Sequence, residues 1–257
     1  MRRKGRIARV NDGPVAHLVI DSPEKRNALD LAMIAELSAA VRLVARDRRV
    51  RVLVVSGAGR KAFSAGADLD ALTASENFSE RLRRIERALE RAALRLARLP
   101  IPTIAALSGY CMGGGVQIAL ACDMRVAADD LAIGIPAVRM GLIYPRTALA
   151  KLVRLVGASR AKLFLLSARL FDAEAALALG LVDSVAPAPR FERAIGELAR
   201  AIAEHPPGAV RAYKQVVDAL ANDDAAAAER VARKVNSGAE MYAALERVRA
   251  GRVRRVR

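Results

Sequence analysis

Two glycine-containing loops are the part of this sequence best suited to chemistry. The first is the glycine triplet at residues 113–115, in an uncharged stretch (99–122) and just before a helix-compatible run, 116–121. The first amides of a helix lack partners within the helix and attract anionic oxygen. The second loop, residues 63–69, follows a strand-like segment, 52–56. One N–H group from each loop could bind the same carbonyl oxygen and form an oxyanion hole.

A resemblance to a known family rests on these loops together with four further segments. Each loop alone is typical of a tight turn or of close packing. The further segments are SPEKRNAL at 22–29, PTIAA at 102–106, ACDMR at 121–125 and AALALGLV at 175–182. Together they resemble the crotonase superfamily, also called the enoyl-CoA hydratase/isomerase family, over residues 6–185. These motifs are specific for the fold and for acyl-CoA binding, and much less specific for the reaction.

The resemblance implies an α/β fold in which repeated ββα turns form a spiral, followed by a helical C-terminal region. We place an acyl-CoA-binding core at residues 1–191 and a helical oligomerisation region at 192–257. In this family the C-terminal helices pack in a trimer interface, and trimers often pair into hexamers. The composition itself does not show trimerisation, so a homotrimer or hexamer is expected from the resemblance alone.

The resemblance also assigns the binding of a coenzyme A thioester, the expected substrate, to named residues. The oxyanion donors are the backbone N–H groups of Ala67 and Gly114, each worth roughly 3–4 kcal/mol toward a developing oxyanion. Lys25 and Arg26 could contact phosphates, although a solvated role suits exposed basic residues equally well. The residues expected to bind substrate are Lys25, Arg26, Ala28, Ala65, Gly66, Ala67, Asp68, Leu69, Gly113 and Gly114.

Proton transfer is where this sequence departs from the family. Hydratases of the family use two glutamates to hold and activate water, and the matching positions here are Gln117 and Ala137. A glutamine can hydrogen-bond a water molecule but cannot accept its proton, and an alanine can do neither. We therefore expect an enzyme of the hydratase/isomerase type for which ordinary hydration by two carboxylates is doubtful.

Other side chains could move a proton instead. Tyr144 stands as far past a glycine as an active-site tyrosine of the methylmalonyl-CoA decarboxylases of this superfamily, and a packed aromatic residue is an equally good interpretation. Four glutamates lie on the helix expected to border the acyl pocket, where solvent-exposed pairing with arginine is the usual role. They are Glu76, Glu80, Glu86 and Glu90.

The overall charge raises the question of acidic partners. The 257 residues include 43 Lys+Arg and 27 Asp+Glu, giving a net charge of +16, and 53% of them are hydrophobic. Most arginines recur among apolar residues at helical spacing, which favours solvated faces of amphipathic helices. Only the tail, residues 247–257, is dense enough in arginine to indicate contact with a polyanion such as RNA.

Several classes of protein fit the sequence poorly. Neither Cys111 nor Cys122 belongs to a disulfide framework, and we expect both to be small buried residues in a reduced compartment. No cysteine stands near His17 or His205, so no metal site is expected. The basic N-terminus lacks the apolar run of a signal peptide, and prolines and glycines interrupt the uncharged stretch, so we expect a cytoplasmic protein without a membrane span.

The remaining patterns predict elements that alternate between strand and helix. A hairpin (7–10 and 15–20) is followed by a helix that Asp30 caps. The predicted strands are 51–56, 103–107, 123–127 and 131–133. The predicted helices are 31–45, 77–96, 191–204, 209–221 and 224–249.

Three hypotheses for function follow. The first is an acyl-CoA enzyme, without a tightly bound cofactor, acting through a thioester enolate; decarboxylation or hydrolysis using Tyr144 is its alternative reaction. The second is an acyl-CoA binder that has lost catalysis, suggested by Gln117 and Ala137. The third is an RNA-binding member of the superfamily, suggested by the positive charge.

Overall fold

The chain begins with the predicted hairpin and capped helix. The computed structural model describes residues 5–68, 70, 77–236, 241–243 and 246. Strands β1 (Arg6–Asp12) and β2 (Val15–Asp21) pair antiparallel. Helix α1 (Leu31–Arg46) begins after Asp30, whose carboxylate accepts a hydrogen bond from the Met33 N–H at 2.8 Å. The cap satisfies one of the free amides at the helix start.

In the part of the chain that the structure describes, ten strands form two sheets. The remaining strands are β3 (Val52–Gly57), β4 (Ala62–Ser64), β5 (Thr103–Leu107), β6 (Tyr110–Met112), β7 (Met124–Ala128), β8 (Ala132–Gly134), β9 (Phe171–Asp172) and β10 (Ser184–Ala186). One sheet has the order β1-β2-β3-β5-β7-β10 and the other the order β4-β6-β8-β9. All neighbours are parallel except β1–β2 and β8–β9.

From β3 to β8, consecutive strands alternate between the two sheets, and each pair is followed by a helix. The pairs β3–β4, β5–β6 and β7–β8 precede α2 (Phe78–Ala97), α3 (Gly114–Ala121) and α4 (Arg146–Val156), respectively. The other helices are α5 (Ala158–Leu166), α6 (Ala173–Leu179), α7 (Phe191–Glu204), α8 (Pro207–Leu220) and α9 (Ala225–Asn236). The predicted α/β fold of repeated ββα turns is confirmed.

The six-stranded sheet is buried on both faces. Side chains alternate along β3: Leu53 and Val55 belong to the main core, whereas Val52 and Val54 pack in a second cluster with α7. A strand that is buried on both faces of its sheet has apolar residues at successive positions, which is why β3 was predictable. Among the described helices, none is long and apolar enough to cross a membrane.

The helix after the glycine triplet begins earlier than predicted. The sequence predicted helical structure over residues 116–121, whereas α3 includes Gly114 and Gly115. Glycine disfavours helix in isolation, but tertiary packing here requires residues without a Cβ. A Cβ on Gly115 would lie 2.7 Å from the carbonyl oxygen of Ser64.

The C-terminal helices agree with the prediction where the structure describes them. Helix α7 occupies the predicted residues 191–204, and α8 begins two residues before the predicted 209–221. Of the predicted helix 224–249, the structure describes α9 and short helical pieces at 241–243 and 246. The basic tail, residues 247–257, lies outside the described residues.

Candidate active site

The two glycine-containing loops meet in space. A Cβ on Gly66 would lie 3.1 Å from the amide nitrogen of Gly114, and a Cβ on Gly114 would lie 3.6 Å from the amide nitrogen of Ala67. With standard covalent geometry, the nitrogens of Ala67 and Gly114 are therefore within about 6 Å of each other. This separation allows one oxygen atom to accept hydrogen bonds from both.

Backbone pairing with Leu29 determines the orientation of Ala67. The Leu29 N–H donates to the Gly66 carbonyl at 2.7 Å, and the Asp68 N–H donates to the Leu29 carbonyl at 3.0 Å. In this parallel bridge the N–H of Ala67 itself points away from Leu29. It has no acceptor within the described part of the chain.

The orientation of the Gly114 amide is determined by the start of a helix. Gly113, at φ +53°, donates its N–H to the Gly134 carbonyl at 3.1 Å and so ends the strand pairing there. Gly114 is the first residue of α3, and its N–H likewise has no acceptor among the described residues. A free N–H at a helix start carries the positive end of the helix dipole. Helix α3 is wholly buried, so this dipole acts in a poorly solvated environment.

Two buried polar residues hold the loop that contains Ala67. Asn27 (φ +57°) donates its side-chain N–H groups to the carbonyls of Ala58 (3.0 Å) and Ala62 (2.7 Å). The Ser64 hydroxyl donates to the Asn27 carbonyl at 2.8 Å and accepts from the Gly66 N–H at 3.2 Å. Sequence reasoning included Asn27 in a motif but missed this role. The signal was an asparagine, a residue that tolerates positive φ, just before a predicted helix.

Several of the residues predicted to bind coenzyme A contact one another. The Lys25 ammonium lies 2.6 Å from the Asp68 carboxylate, and this hydrogen bond raises the pKa of Lys25. The Arg26 guanidinium lies over the Tyr110 ring, 5.3 Å from its centre. Half-buried Ala28 donates its N–H to the Lys25 carbonyl, and half-buried Ala65 donates to the Arg26 carbonyl. Leu69 lies outside the described residues.

Neither family-glutamate position brings a carboxylate to this site. Gln117 is buried on α3. It also lines a cavity of about 910 Å³ between the core and α8. Ala137 is buried in the one-turn helix Pro136–Met140, three residues after Gly134. The geometry thus offers amide donors at the glycine loops but no acid or base at Gln117 or Ala137.

Tyr144 lies at the glycine triplet. Its hydroxyl oxygen is 3.1 Å from where a Cβ on Gly113 would stand. Burial raises the pKa of Tyr144, and the nearby Glu86 raises it further. The hydroxyl therefore stays protonated near neutral pH, where it can donate a hydrogen bond but is a poor base.

The glutamates of α2 differ from one another in their surroundings. Glu80 is exposed, and Glu90 accepts a hydrogen bond from the Thr147 hydroxyl at 2.5 Å. Glu86 is half-buried, and burial raises its pKa. Glu76 lies outside the described residues.

Known proteins resemble this chain over nearly its whole length. The family model for enoyl-CoA hydratase/isomerase matches residues 11–251. The protein named "Probable enoyl-CoA hydratase EchA17" from Mycobacterium tuberculosis is 35% identical over 234 residues, covering 91% of this chain and 87% of the relative.

Solved structures show the same fold. An enoyl-CoA hydratase from Bacillus anthracis superposes with a TM-score of 0.90 at 27% identity, covering 96% of both chains. An enoyl-CoA hydratase/carnithine racemase from Magnetospirillum magneticum gives a TM-score of 0.87 at 30% identity, covering 95% of this chain and 92% of the other. Fold, sequence and the two converging glycine loops agree, and the chain belongs to the enoyl-CoA hydratase/isomerase family of the crotonase superfamily.

Proposed function

We propose that this protein is an acyl-CoA enzyme that stabilises a thioester enolate with the backbone N–H groups of Ala67 and Gly114. The observation that carries the proposal is the convergence of these two amides, both without a protein acceptor among the described residues. When the α-carbon of a thioester loses a proton, negative charge develops on the carbonyl oxygen. Fixed donors aimed at that oxygen stabilise the transition state more than the ground state.

The choice of reaction follows from which groups are missing. Hydration by the two-carboxylate route needs one group to deprotonate water and another to protonate carbon. Gln117 and Ala137 supply neither, so we expect hydration of 2-enoyl-CoA to be slow. Double-bond isomerisation needs a single base and no water, and it is the reaction of the family that this site suits best.

A pair of variants at Gly114 tests the oxyanion hole. Gly114→Pro removes the N–H at the first position of a helix, where proline is otherwise well tolerated. Gly114→Ala keeps the N–H but adds a Cβ that would meet the Leu89 side chain at 2.8 Å, so it controls for crowding. We expect Gly114→Pro to lower kcat for isomerisation of a 3-enoyl-CoA about 100-fold to 1000-fold relative to Gly114→Ala. Equal rates would overturn the proposal.

Decarboxylation is a second candidate because the Tyr144 hydroxyl lies against Gly113. Loss of CO2 from a malonyl-type thioester leaves the same enolate, and a neutral phenol could orient the departing carboxylate by hydrogen bonding. Release of CO2 from malonyl-CoA or methylmalonyl-CoA, lost in Tyr144→Phe, would favour this reaction. Isomerisation of a 3-enoyl-CoA without release of CO2 from either thioester would favour the first candidate.

Self-association is proposed for the C-terminal helices. Tyr213, Val217 and Leu220 form an apolar stripe on α8 and are 75%, 60% and 54% exposed. Burial of such a stripe against copies of the same chain would remove it from water, as expected for a trimer or hexamer. Light scattering should give a multiple of the 27.5 kDa chain mass for the wild type. Val217→Glu should reduce that mass, and Ala201→Glu, at an exposed position of α7, should not.

A further inference from the structure

One carboxylate of α2 lies on the helix face that is turned toward the glycine triplet. Leu82 and Leu89 both pack against the main core, and Glu86 lies four residues after the first and three before the second. Residues at these spacings share one face of a helix. Leu89 approaches the triplet closely, because its Cδ2 is 2.8 Å from where a Cβ on Gly114 would stand. Glu86 is therefore one turn away from a residue in contact with the oxyanion loop.

A hydrogen bond joins α2 to α4 close in sequence to both Glu86 and Tyr144. The Thr147 hydroxyl donates to the Glu90 carboxylate at 2.5 Å. Glu86 lies four residues before Glu90 on α2, and Tyr144 lies three residues before Thr147. The two are close enough for the Glu86 charge to raise the pKa of Tyr144. Because the Tyr144 hydroxyl lies against Gly113, the carboxylate of Glu86 belongs to the same neighbourhood.

Among the residues that the structure describes, Glu86 has no ionic partner, although arginines are close to it in sequence. Arg83, Arg84 and Arg87 lie on the same helix, and the chain carries a net charge of +16. Within the described residues, the Glu86 carboxylate forms neither an ion pair nor a hydrogen bond. A half-buried carboxylate without a partner costs folding energy, so its position calls for a role other than stability.

We propose that Glu86 is the catalytic base that removes and returns the substrate proton, an inference that rests on the proposed function. In a 3-enoyl thioester, a carboxylate oxygen of Glu86 takes a proton from C2. The electron pair of that C–H bond forms the C1–C2 double bond, and the carbonyl π electrons move onto the oxygen bound by Ala67 and Gly114. The resulting dienolate then takes the proton back from Glu86 at C4, which gives the 2-enoyl thioester and restores the carboxylate.

The step balances with one base and no water. No atom is gained or lost, the proton moves from C2 to C4, and the double bond moves from C3–C4 to C2–C3. The Tyr144 hydroxyl remains protonated throughout and therefore does not compete with Glu86 as the base. Gln117 and Ala137 take no part in the transfer, which accounts for the absence of carboxylates at those positions.

Deuterium exchange tests Glu86 separately from the oxyanion hole. Butyryl-CoA is incubated with the full-length protein in D2O, and exchange of its C2 hydrogens is followed by mass spectrometry. Isomerisation of trans-3-hexenoyl-CoA is measured in parallel. Glu86→Gln should lower both rates about 100-fold or more, because a positioned base contributes about that much. Glu80→Gln, at an exposed site of the same helix, should change neither by more than about twofold.

The outcomes separate the two claims. Loss of both reactions in Glu86→Gln, with butyryl-CoA binding and thermal unfolding retained, supports the proposal. Wild-type rates in Glu86→Gln overturn the role of Glu86 while leaving the oxyanion hole intact, provided that Gly114→Pro lowers both rates. If the wild type binds butyryl-CoA but neither exchanges nor isomerises, the proposals for Glu86 and for enolate chemistry both fail.

Discussion

Two polar regions of this protein differ in whether their hydrogen-bonding groups have partners within the protein. Where α8 meets the core, the Lys214 ammonium lies 2.6 Å from the Asp123 carboxylate, which also accepts from the N–H and hydroxyl of Thr103. At the glycine loops, the amides of Ala67 and Gly114 have no acceptor among the described residues. Asp123, Lys214 and Thr103 pair their polar atoms with one another, whereas the glycine loops leave two donors available to a ligand.

The difference separates structural polar groups from functional ones. Burying a polar group without a partner costs free energy, so a chain folded for stability alone would pair it. Asp123 and Lys214 follow this rule and fasten the C-terminal helices to the core. Ala67, Gly114 and Glu86 depart from it within one small region of the molecule. We infer that substitutions in the first region lower the stability of the protein, whereas substitutions in the second region lower its activity.

The largest effect on stability is expected from breaking the satisfied region. Lys214→Ala leaves the Asp123 carboxylate without its buried cation, because the Lys214 side chain is only 8% exposed. We expect the free energy of unfolding to fall by about 3–5 kcal/mol. Lys162→Ala, at an exposed lysine of α5, should change it by no more than about 0.5 kcal/mol. Equal denaturation midpoints for the two variants would contradict this interpretation.

A smaller loss is expected at the support of the Ala67 loop. Asn27→Gly retains the positive φ but removes the hydrogen bonds to Ala58 and Ala62, and we expect about 2 kcal/mol of destabilisation in urea. Asp223→Gly, at an exposed residue with φ +59°, is a control for the backbone conformation and should be nearly neutral. Because the loop carries a proposed oxyanion donor, Asn27→Gly should also lower kcat. An unchanged stability would show that Asn27 does not hold the loop.

The smallest effect on stability is expected for a substitution of Glu86, and it should be a slight gain where the previous two substitutions cause a loss. Burial raises the pKa of Glu86, so ionising this carboxyl opposes folding. This free-energy cost is absent at pH values below the ordinary pKa of a glutamate and is fully present at pH values above the raised pKa. Glu86→Gln should therefore unfold at the same temperature as the wild type at low pH and at an equal or slightly higher one at neutral pH. A clear loss of stability at neutral pH would indicate a structural role.

Local signals made most of the fold predictable. The turn residues at 11–14 indicated the hairpin, and Asp30 indicated the start of α1. Strands β4 and β6 have only three residues each, too few to show a periodic pattern. The start of α3 was predicted too late because close packing of Gly114 against Leu89 and of Gly115 against Ser64 outweighs the low helix propensity of glycine.

The site was partly predictable for a related reason. Backbone donors depend on loop shape, which glycines reveal in the sequence, so Ala67 and Gly114 could be proposed from the family pattern. Glu86 was not distinguished from Glu80 or Glu90, because the arginines near them favoured solvent-exposed pairing for all of these glutamates. The spacing of Leu82 and Leu89 would have identified the inward face.

A crystal structure of the protein with an unreactive acyl-CoA bound would show where the thioester carbonyl lies. We predict that its oxygen lies about 2.7–3.1 Å from the amide nitrogens of both Ala67 and Gly114. A thioester bound with its carbonyl oxygen away from either nitrogen, or amides already occupied by protein acceptors, would contradict it.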